Sequence, residues 1–409
     1  MSGRATFRRL WAGQTLSVFG TAVSALAIPT IAIIALRAPV FWVGVLEAAQ
    51  FAAFPVFGLV AGVWVDRWSR RITMLTADAV RLVALASIPL AALADVLGFA
   101  QLVIVALIVG IASVFFDVAY QAFVPSLVEP SWLEHANARL EASNSAAQLA
   151  GSGLAGTLIA ALGAPLAVVV DALSYLASIV ALAGIDVREA HREADDAREP
   201  LAFRAALREG LAIVFRSPVL RAILGATACV NLGWSIVSAV YLLFFYRVLQ
   251  FSPLLVGIVF AIGNLGFIGA LAAPRLARRF GPGPLLRLTL TAVVAVTLAI
   301  PLALVIPPLL VIVPVQLIAA ISIPIYNITQ LSMRQRMVEP AQLGRMNATM
   351  KTIVWGVMPL GALLGGTLGA TIGIVPTILA GALVTCLGLP FVLSGAVRTL
   401  TAPTKAEVA

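Results

Sequence analysis

Residues 128–138 read VEPSWLEHANA, and residues 338–348 read VEPAQLGRMNA. Six of the eleven positions are identical, across an offset of 210. The register holds on both sides of this stretch. Gly156-Thr157-Leu158 falls on Gly366-Thr367-Leu368, and Phe116-Asp117 falls on Tyr326-Asn327. Chance can supply one short match, but not a shared offset over about forty residues. The chain is a unit repeated head to tail. In an apolar chain, such a parallel repeat predicts two membrane bundles related by an axis along the membrane normal.

Composition supports the membrane reading. Of 409 residues, 61% are hydrophobic and 11% are charged. A soluble domain carries roughly 25% charged residues, and a chain this apolar could not cover a water-facing surface. Mean hydropathy is +1.04. The net charge of +9 does not point to nucleic acid. Its basic residues sit in short stretches between apolar runs, as the positive-inside rule predicts, and do not form a groove. Cys229 and Cys386 lie inside apolar runs and belong to no CxxC, which predicts neither a disulfide nor a zinc site. His135 and His191 lie in polar connections, so no histidine-based metal or catalytic centre is expected within the membrane, and no cofactor.

A spanning helix needs roughly 20 apolar residues. Runs of that size occur near 10–36, 40–65, 72–95, 100–123, 138–162 and 165–185, then near 219–246, 253–274, 284–305, 307–332, 346–371 and 374–397. The first is too long for a signal-peptide core and lacks a cleavage site after it, so it is expected to remain as a helix. The predicted fold class is an all-α membrane protein with 12 transmembrane helices in two pseudo-symmetric six-helix bundles. The expected organisation is an N-terminal bundle at 1–185, a cytoplasmic linker at 186–218, a C-terminal bundle at 219–398 and a cytoplasmic tail at 399–409. Connections such as Gly163-Ala164-Pro165 and Ile306-Pro307-Pro308 are short enough to force antiparallel neighbours.

Orientation follows from the basic residues. With alternating spans, 25 of the 27 Lys and Arg fall on one side, and only Arg37 and Arg247 fall on the other. Both termini and the linker are therefore expected to be cytoplasmic. Residues 186–199 are dense in charge and form no core. Beyond them, Phe203, Leu207, Leu211 and Val214 recur at helical spacing, with Arg204, Arg208 and Arg216 off that face. This predicts an amphipathic helix lying on the inner leaflet, with packing on a cytosolic loop as the alternative.

Residues 62–71 read GVWVDRWSRR. This stretch resembles the GxxxDRxGRR signature of the major facilitator superfamily, with Ser69 at the second glycine. Gly62 lets a neighbouring helix approach, Asp66 can bind the positive end of a helix dipole, and Arg67, Arg70 and Arg71 can bridge to carboxylates. A decayed copy, ALAAPRLARR at 270–279, lies at an offset of 208 and lacks the acid. Residues 9–14 (RLWAGQ), Phe116-Asp117 before Val124-Pro125, and residues 344–348 (GRMNA) are similar to the bacterial exporter branch. That branch includes macrolide-efflux-like proteins and the enterobactin exporter, the transmembrane secretion effectors. Arg208-Glu209-Gly210-Leu211 ahead of Ser217-Pro218 fits it too.

The resemblance covers nearly the whole chain. It implies proton-driven export, by a monomer in a lipid bilayer, of small amphipathic molecules of drug, macrolide or siderophore type. It also implies a cytoplasmic gate made by the 62–71 loop together with Asp117, whose expected partner is Arg70 or Arg71. Relatives often carry an acid after the first-helix glycine, whereas here Gly20 precedes Thr21. Lysophospholipid flipping or solute uptake is the alternative within the same fold, and a non-transporting sensor the alternative outside it. No GxxxxGK[ST] phosphate loop exists for ATP-driven export, and the two histidines rule out an intramembrane hydrolase.

Carboxylates inside spans are expensive, roughly 2.5–3.5 kcal/mol each at the bilayer centre on insertion scales, and so mark function. Asp78 and Arg81 stand three apart and can neutralise each other. Glu47 and Asp171 have no basic partner nearby in sequence. Glu47 lies on the second helix, which lines the path between halves in this superfamily, and is the preferred proton-coupling residue. Asp171 is second, with a role in tying helices together. Residues 151–156 (GSGLAG) match GxGxxG, but no strand precedes them, so Gly151, Gly153 and Gly156 are expected to form a helix-packing seam. Pro359, Gly361 and Gly365 stand at the repeated location in the eleventh run. Both seams are placed beside a substrate path, though plain helix packing accounts for them equally well.

Overall fold

The computed structural model describes residues 3–65, 68–129, 132–185 and 200–395; it holds helices and no strand among them. Twelve helical spans in these residues are long and apolar enough to cross a membrane. A helix satisfies its own backbone groups where no water can, which is why such runs fold this way. The first half contains α1 (Gly3–Thr30), α2 (Val40–Val65), α3 (Arg70–Leu93), α4 (Phe99–Leu127), α5 (Leu133–Leu162) and α6 (Ala164–Ala183). A connecting helix, α7 (Pro200–Arg216), follows. The second half contains α8 (Pro218–Leu243), α9 (Pro253–Gly263) and α10 (Phe267–Phe280) within one span, α11 (Pro282–Ala299), α12 (Pro308–Met337), α13 (Pro340–Thr371), and α14 (Ile374–Cys386) with α15 (Leu389–Leu393). Ser69 and Ser217 cap α3 and α8, each side chain accepting from a backbone N–H three residues on.

The repeat is visible in the backbone. Gly163 (φ 82°) joins α5 to α6, and Gly373 (φ 93°) joins α13 to α14, at the 210-residue offset of the sequence motif. Both lie in the left-handed region, where a side chain would be strained. The first span of each half ends alike, in a π turn at Ile31–Ala35 and at Phe244–Val248. Each turn is followed by a non-glycine residue with positive φ, Arg37 and Gln250. These two markers are 213 apart, so the register slips by three residues between the first and fourth spans of the repeat.

The described residues fall into two compact units: the first half together with Phe245–Ala261, and the remainder. In the first, α1 packs on α5 and α6, α3 on α4 and α6, and α2 on α4. Its buried core includes Leu10, Met74, Phe116 and Phe123. The segment Phe245–Ala261 is held there by a buried hydrogen bond between the Thr30 and Tyr246 hydroxyls (3.0 Å) and by Arg247, which donates to the Ala38 carbonyl (2.7 Å). In the second unit α8 packs on α13 and α14, and α12 on α10 and α11.

Residues 186–199 of the expected linker and the tail from 396 onward lie outside the described residues. In the part of α7 that is described, Gly210 abuts the Arg345 carbonyl on α13, Glu209 pairs with Arg345, and Val214 is buried among Leu220, Met346 and Met350. The described part of α7 thus packs on the helices α13 and α8, contacts that neither the expected leaflet placement nor the loop alternative included.

Candidate transport cavities

The first unit encloses a cavity of about 300 Å³, lined among others by Thr21, Ser24, Gln50, Asp117, Asp171 and Tyr175. Asp171 is the least exposed carboxylate on this wall, at 1%. It is held where α6 crosses α1 at Gly20, so closely that a Cβ on Gly20 would lie 2.7 Å from its Oδ1 and 2.8 Å from its Cα. Ser174 donates to Oδ1 at 3.2 Å. One turn along α6, the Tyr175 hydroxyl pairs with Thr21 at 3.0 Å.

Behind this wall lies Arg81, 5% exposed. Its guanidinium stands 3.5 Å from Asp78 Oδ1, 4.3 Å over the Phe116 ring and 4.9 Å over the Tyr175 ring. The aromatic faces supplement the single carboxylate in stabilising the buried cation. Asp78 and Asp171 together outnumber Arg81, so full ionisation would leave this buried cluster with one net negative charge. In an apolar span that imbalance is costly unless a proton or a cation offsets it.

Asp117 is on the cavity side of α4 and exposed there. Glu47 is half-buried on α2, one turn before Gln50; it is Gln50 whose side chain reaches the cavity wall. Arg70 donates to the Ala122 carbonyl near the end of α4 (2.9 Å). Arg71 donates to the carbonyls of Leu182 (3.1 Å) and Ala183 (2.8 Å) at the end of α6. Both guanidiniums thus satisfy carbonyls in the last turns of helices, where the dipole favours a cation. Asp66 and Arg67 lie outside the described residues, and Gly62 is described only as part of α2.

The glycine seams sit at helix crossings. A Cβ on Gly151 would meet that of Ala22 at 2.5 Å, and one on Gly153 would come 3.9 Å from Ala261. Gly156 faces Gly257, with room for backbone alone. In the second unit, Gly361 lies against the Leu232 carbonyl (2.8 Å from a built Cβ) and Gly365 against Ile236, both on α8. Pro359 withholds the N–H that the Trp355 carbonyl would otherwise accept. Around that turn, α8 side chains donate to α13 carbonyls: Asn231 to Val354 (3.1 Å) and Ser235 to Met358 (2.6 Å).

The second unit has its own cavity, of about 170 Å³, lined among others by Asn231, Trp234, Thr297, Tyr326, Asn327 and Thr385. The two linings correspond through the repeat. At the 210-residue offset, Asn327 stands for Asp117 and Thr385 for Tyr175. Gly381 stands for Asp171, and it meets Gly233 as Asp171 meets Gly20. Every intramembrane acid of the first half is neutral in the second. Across 219–398 the sequence has one acid, Glu339, exposed at the start of α13. Neutral amides and hydroxyls in apolar helices look like packing residues. The 210-residue superposition that sets Asn327 on Asp117 also sets Thr385 on Tyr175 and Gly381 on Asp171, and carrying it that far is the sequence signal for this lining.

The model for the Major Facilitator Superfamily matches residues 10–362. The multidrug efflux pump Tap of Mycolicibacterium fortuitum is 27% identical over 348 residues, covering 83% of this chain and 82% of Tap. Macrolide efflux protein A of Streptococcus pyogenes is 24% identical over 404 residues, covering 96% and 97%. Among solved structures, a bacterial homologue of the iron transporter ferroportin, in an inward-facing state, superposes with a TM-score of 0.76 at 15% identity, covering 96% of this chain and all of that one. The nucleoside transporter NupG superposes at 0.70 and 13% identity, covering 97% and 98%. At these identities the structures speak for the fold alone. Twelve spans and bacterial relatives make this a multi-pass protein of a bacterial membrane, surrounded by lipid and carrying a small-molecule substrate. With its family match running through both repeats, the chain belongs to the Major Facilitator Superfamily and is a transporter, not an enzyme.

Proposed function

We propose that this protein is a proton-coupled exporter of small amphipathic compounds, working as a monomer by alternating access, with both termini in the cytoplasm. The observation that carries the coupling is Asp171, a buried carboxylate inside a span and on a cavity wall, whose ionisation would add a second negative charge beside the already balanced Arg81–Asp78 pair. A proton offsets the surplus when the cavity is closed to water and leaves when water returns. We rank Asp171 ahead of Glu47 because Asp171 lines the cavity and Glu47 stands one turn beyond the lining residue Gln50. Asp117, with the 62–71 loop, is assigned to the cytoplasmic gate. The export direction rests on the likeness to Tap and to macrolide efflux protein A.

The energetics are adequate. At about 180 mV, one charge moving inward releases about 4 kcal/mol, enough for a gradient of about a thousandfold in a neutral solute. The test is efflux from proteoliposomes under an imposed pH gradient, beside substrate counterflow without one. Asp171→Asn is expected to retain counterflow and lose accumulation. Accumulation at the wild-type level would remove Asp171 from the mechanism. Reporter fusions after Ala190 and at the carboxyl end are expected to be active inside the cell, and periplasmic activity of either would overturn the orientation.

A further inference from the structure

The neutral cavity of the second unit bears on what is recognised. Its polar groups are carboxamides (Asn231, Asn327), hydroxyls (Thr227, Thr297, Tyr326, Thr385) and the Trp234 indole. Several are fixed in place. Asn231 donates to the Val354 carbonyl, which leaves its own carbonyl oxygen as an acceptor, and Tyr326 pairs with Thr227 at 3.0 Å. Asn327 and Trp234 are exposed on the cavity side, offering a carboxamide and an indole face. No acid or base belongs to the lining, and the nearest charge along α12 is Arg334, two turns from Tyr326. A cation entering here would lose its hydration without meeting a counter-charge, and would face the field of Arg334.

We infer that the cavity among α8, α11, α12 and α14 is a binding site for an uncharged hydrogen-bonding moiety, meaning hydroxyl, amide or ester groups on an apolar frame, and that it discriminates against cations. At about 170 Å³ it admits one ring or side arm, since whole drug-sized ligands occupy roughly 300–1,000 Å³. A site built to hydrogen-bond rejects a ligand lacking such groups, because its own polar atoms are left unpaired. The repeat supplies the internal contrast. Asn327 occupies the place of Asp117, so one nitrogen-for-oxygen exchange separates a neutral wall from an acidic one. As an account of substrate class, the inference rests on the export reading.

Two probes decide it: chloramphenicol, neutral and bearing an amide and hydroxyls, and tetraphenylphosphonium, a cation without hydrogen-bonding groups. Binding to the purified full chain in detergent is measured by titration calorimetry. Wild type is expected to bind chloramphenicol, with tetraphenylphosphonium as the reference for sites elsewhere in the chain. Asn327→Ala should weaken chloramphenicol about tenfold, the scale of one lost buried hydrogen bond, and leave tetraphenylphosphonium unchanged. Asn327→Asp should tighten tetraphenylphosphonium about tenfold. Thr297→Val, nearly isosteric, is the second variant should Asn327→Ala fail to fold, with a loss of about threefold expected. The inference is overturned if wild type does not bind chloramphenicol, if the folded variant binds chloramphenicol as wild type does, or if Asn327→Asp leaves tetraphenylphosphonium binding unchanged. Proteoliposome efflux under a pH gradient separates the two claims. Residue-dependent binding without efflux keeps the site and sinks the export reading; efflux of chloramphenicol undiminished in the folded variant does the reverse.

Discussion

Where α6 crosses α1, Asp171 and Ser174 press on Gly20; where α14 crosses α8, Gly381 and Thr385 press on Gly233. The two crossings are the same element of the repeat with the same steric solution, a glycine that admits the neighbouring helix. They differ in charge. One crossing carries a buried carboxylate backed by Arg81 and Asp78, and the other carries none. Duplication produced two similar bundles, and substitution at a few positions inside the cavities left one ionisable and one neutral. On the proposed function, titration belongs to the first unit and recognition of neutral groups to the second.

The largest effect should come from removing the charge that distinguishes them. Asp171→Asn is expected to reduce pH-driven accumulation by about a thousandfold, the whole of the gradient one proton can sustain, with counterflow preserved. Parallel loss of both activities would instead make Asp171 a structural tie. Gly381→Asp writes the same acid into the other crossing, where no Arg81 stands behind it. A Cβ there would also lie 2.7 Å from the Gly233 carbonyl oxygen, so Gly381→Ala is the steric control, and the buried unpaired charge should lower unfolding stability by about 3 kcal/mol beyond it, read from thermal melting in detergent. A melt equal to that of Gly381→Ala would show that the second crossing tolerates charge and that the contrast is not electrostatic.

Gly20→Ala tests the shared steric half of the comparison. Its Cβ would sit within 2.8 Å of the Asp171 Cα, so a loss of about 2 kcal/mol is expected as the helices part. Glu47→Gln should change pH-driven accumulation by less than about threefold, since its neighbour Gln50 makes the cavity wall. A loss as large as that of Asp171→Asn would return the coupling to α2. Smallest of all, Glu209→Gln breaks a pair whose side chains are 47% and 43% exposed, and should cost at most about 0.5 kcal/mol.

Composition and the repeat determined the architecture without help from packing. Twelve apolar runs, the parallel duplication and the asymmetry of Lys and Arg are local or additive properties of the chain, and the membrane reads them one segment at a time. The glycine-bearing stretches were legible for the same reason, because small residues in an apolar helix mark close crossings. Which carboxylate faces a cavity was a different matter. Glu47 and Asp171 look alike in sequence, each an acid in an apolar run without a basic neighbour. Only the rotation of α6 against α1, fixed by the Gly20 contact, turns Asp171 onto the wall, while Gln50 takes the corresponding position on α2. Arg70 and Arg71 likewise reached helix-end carbonyls in addition to any role beside Asp117, because guanidiniums satisfy whichever acceptors the packed helices present. Segment identity is written along the chain, but facing is decided between helices, by contacts among residues from 52 to 151 positions apart, Arg70 with Ala122 and Gly20 with Asp171.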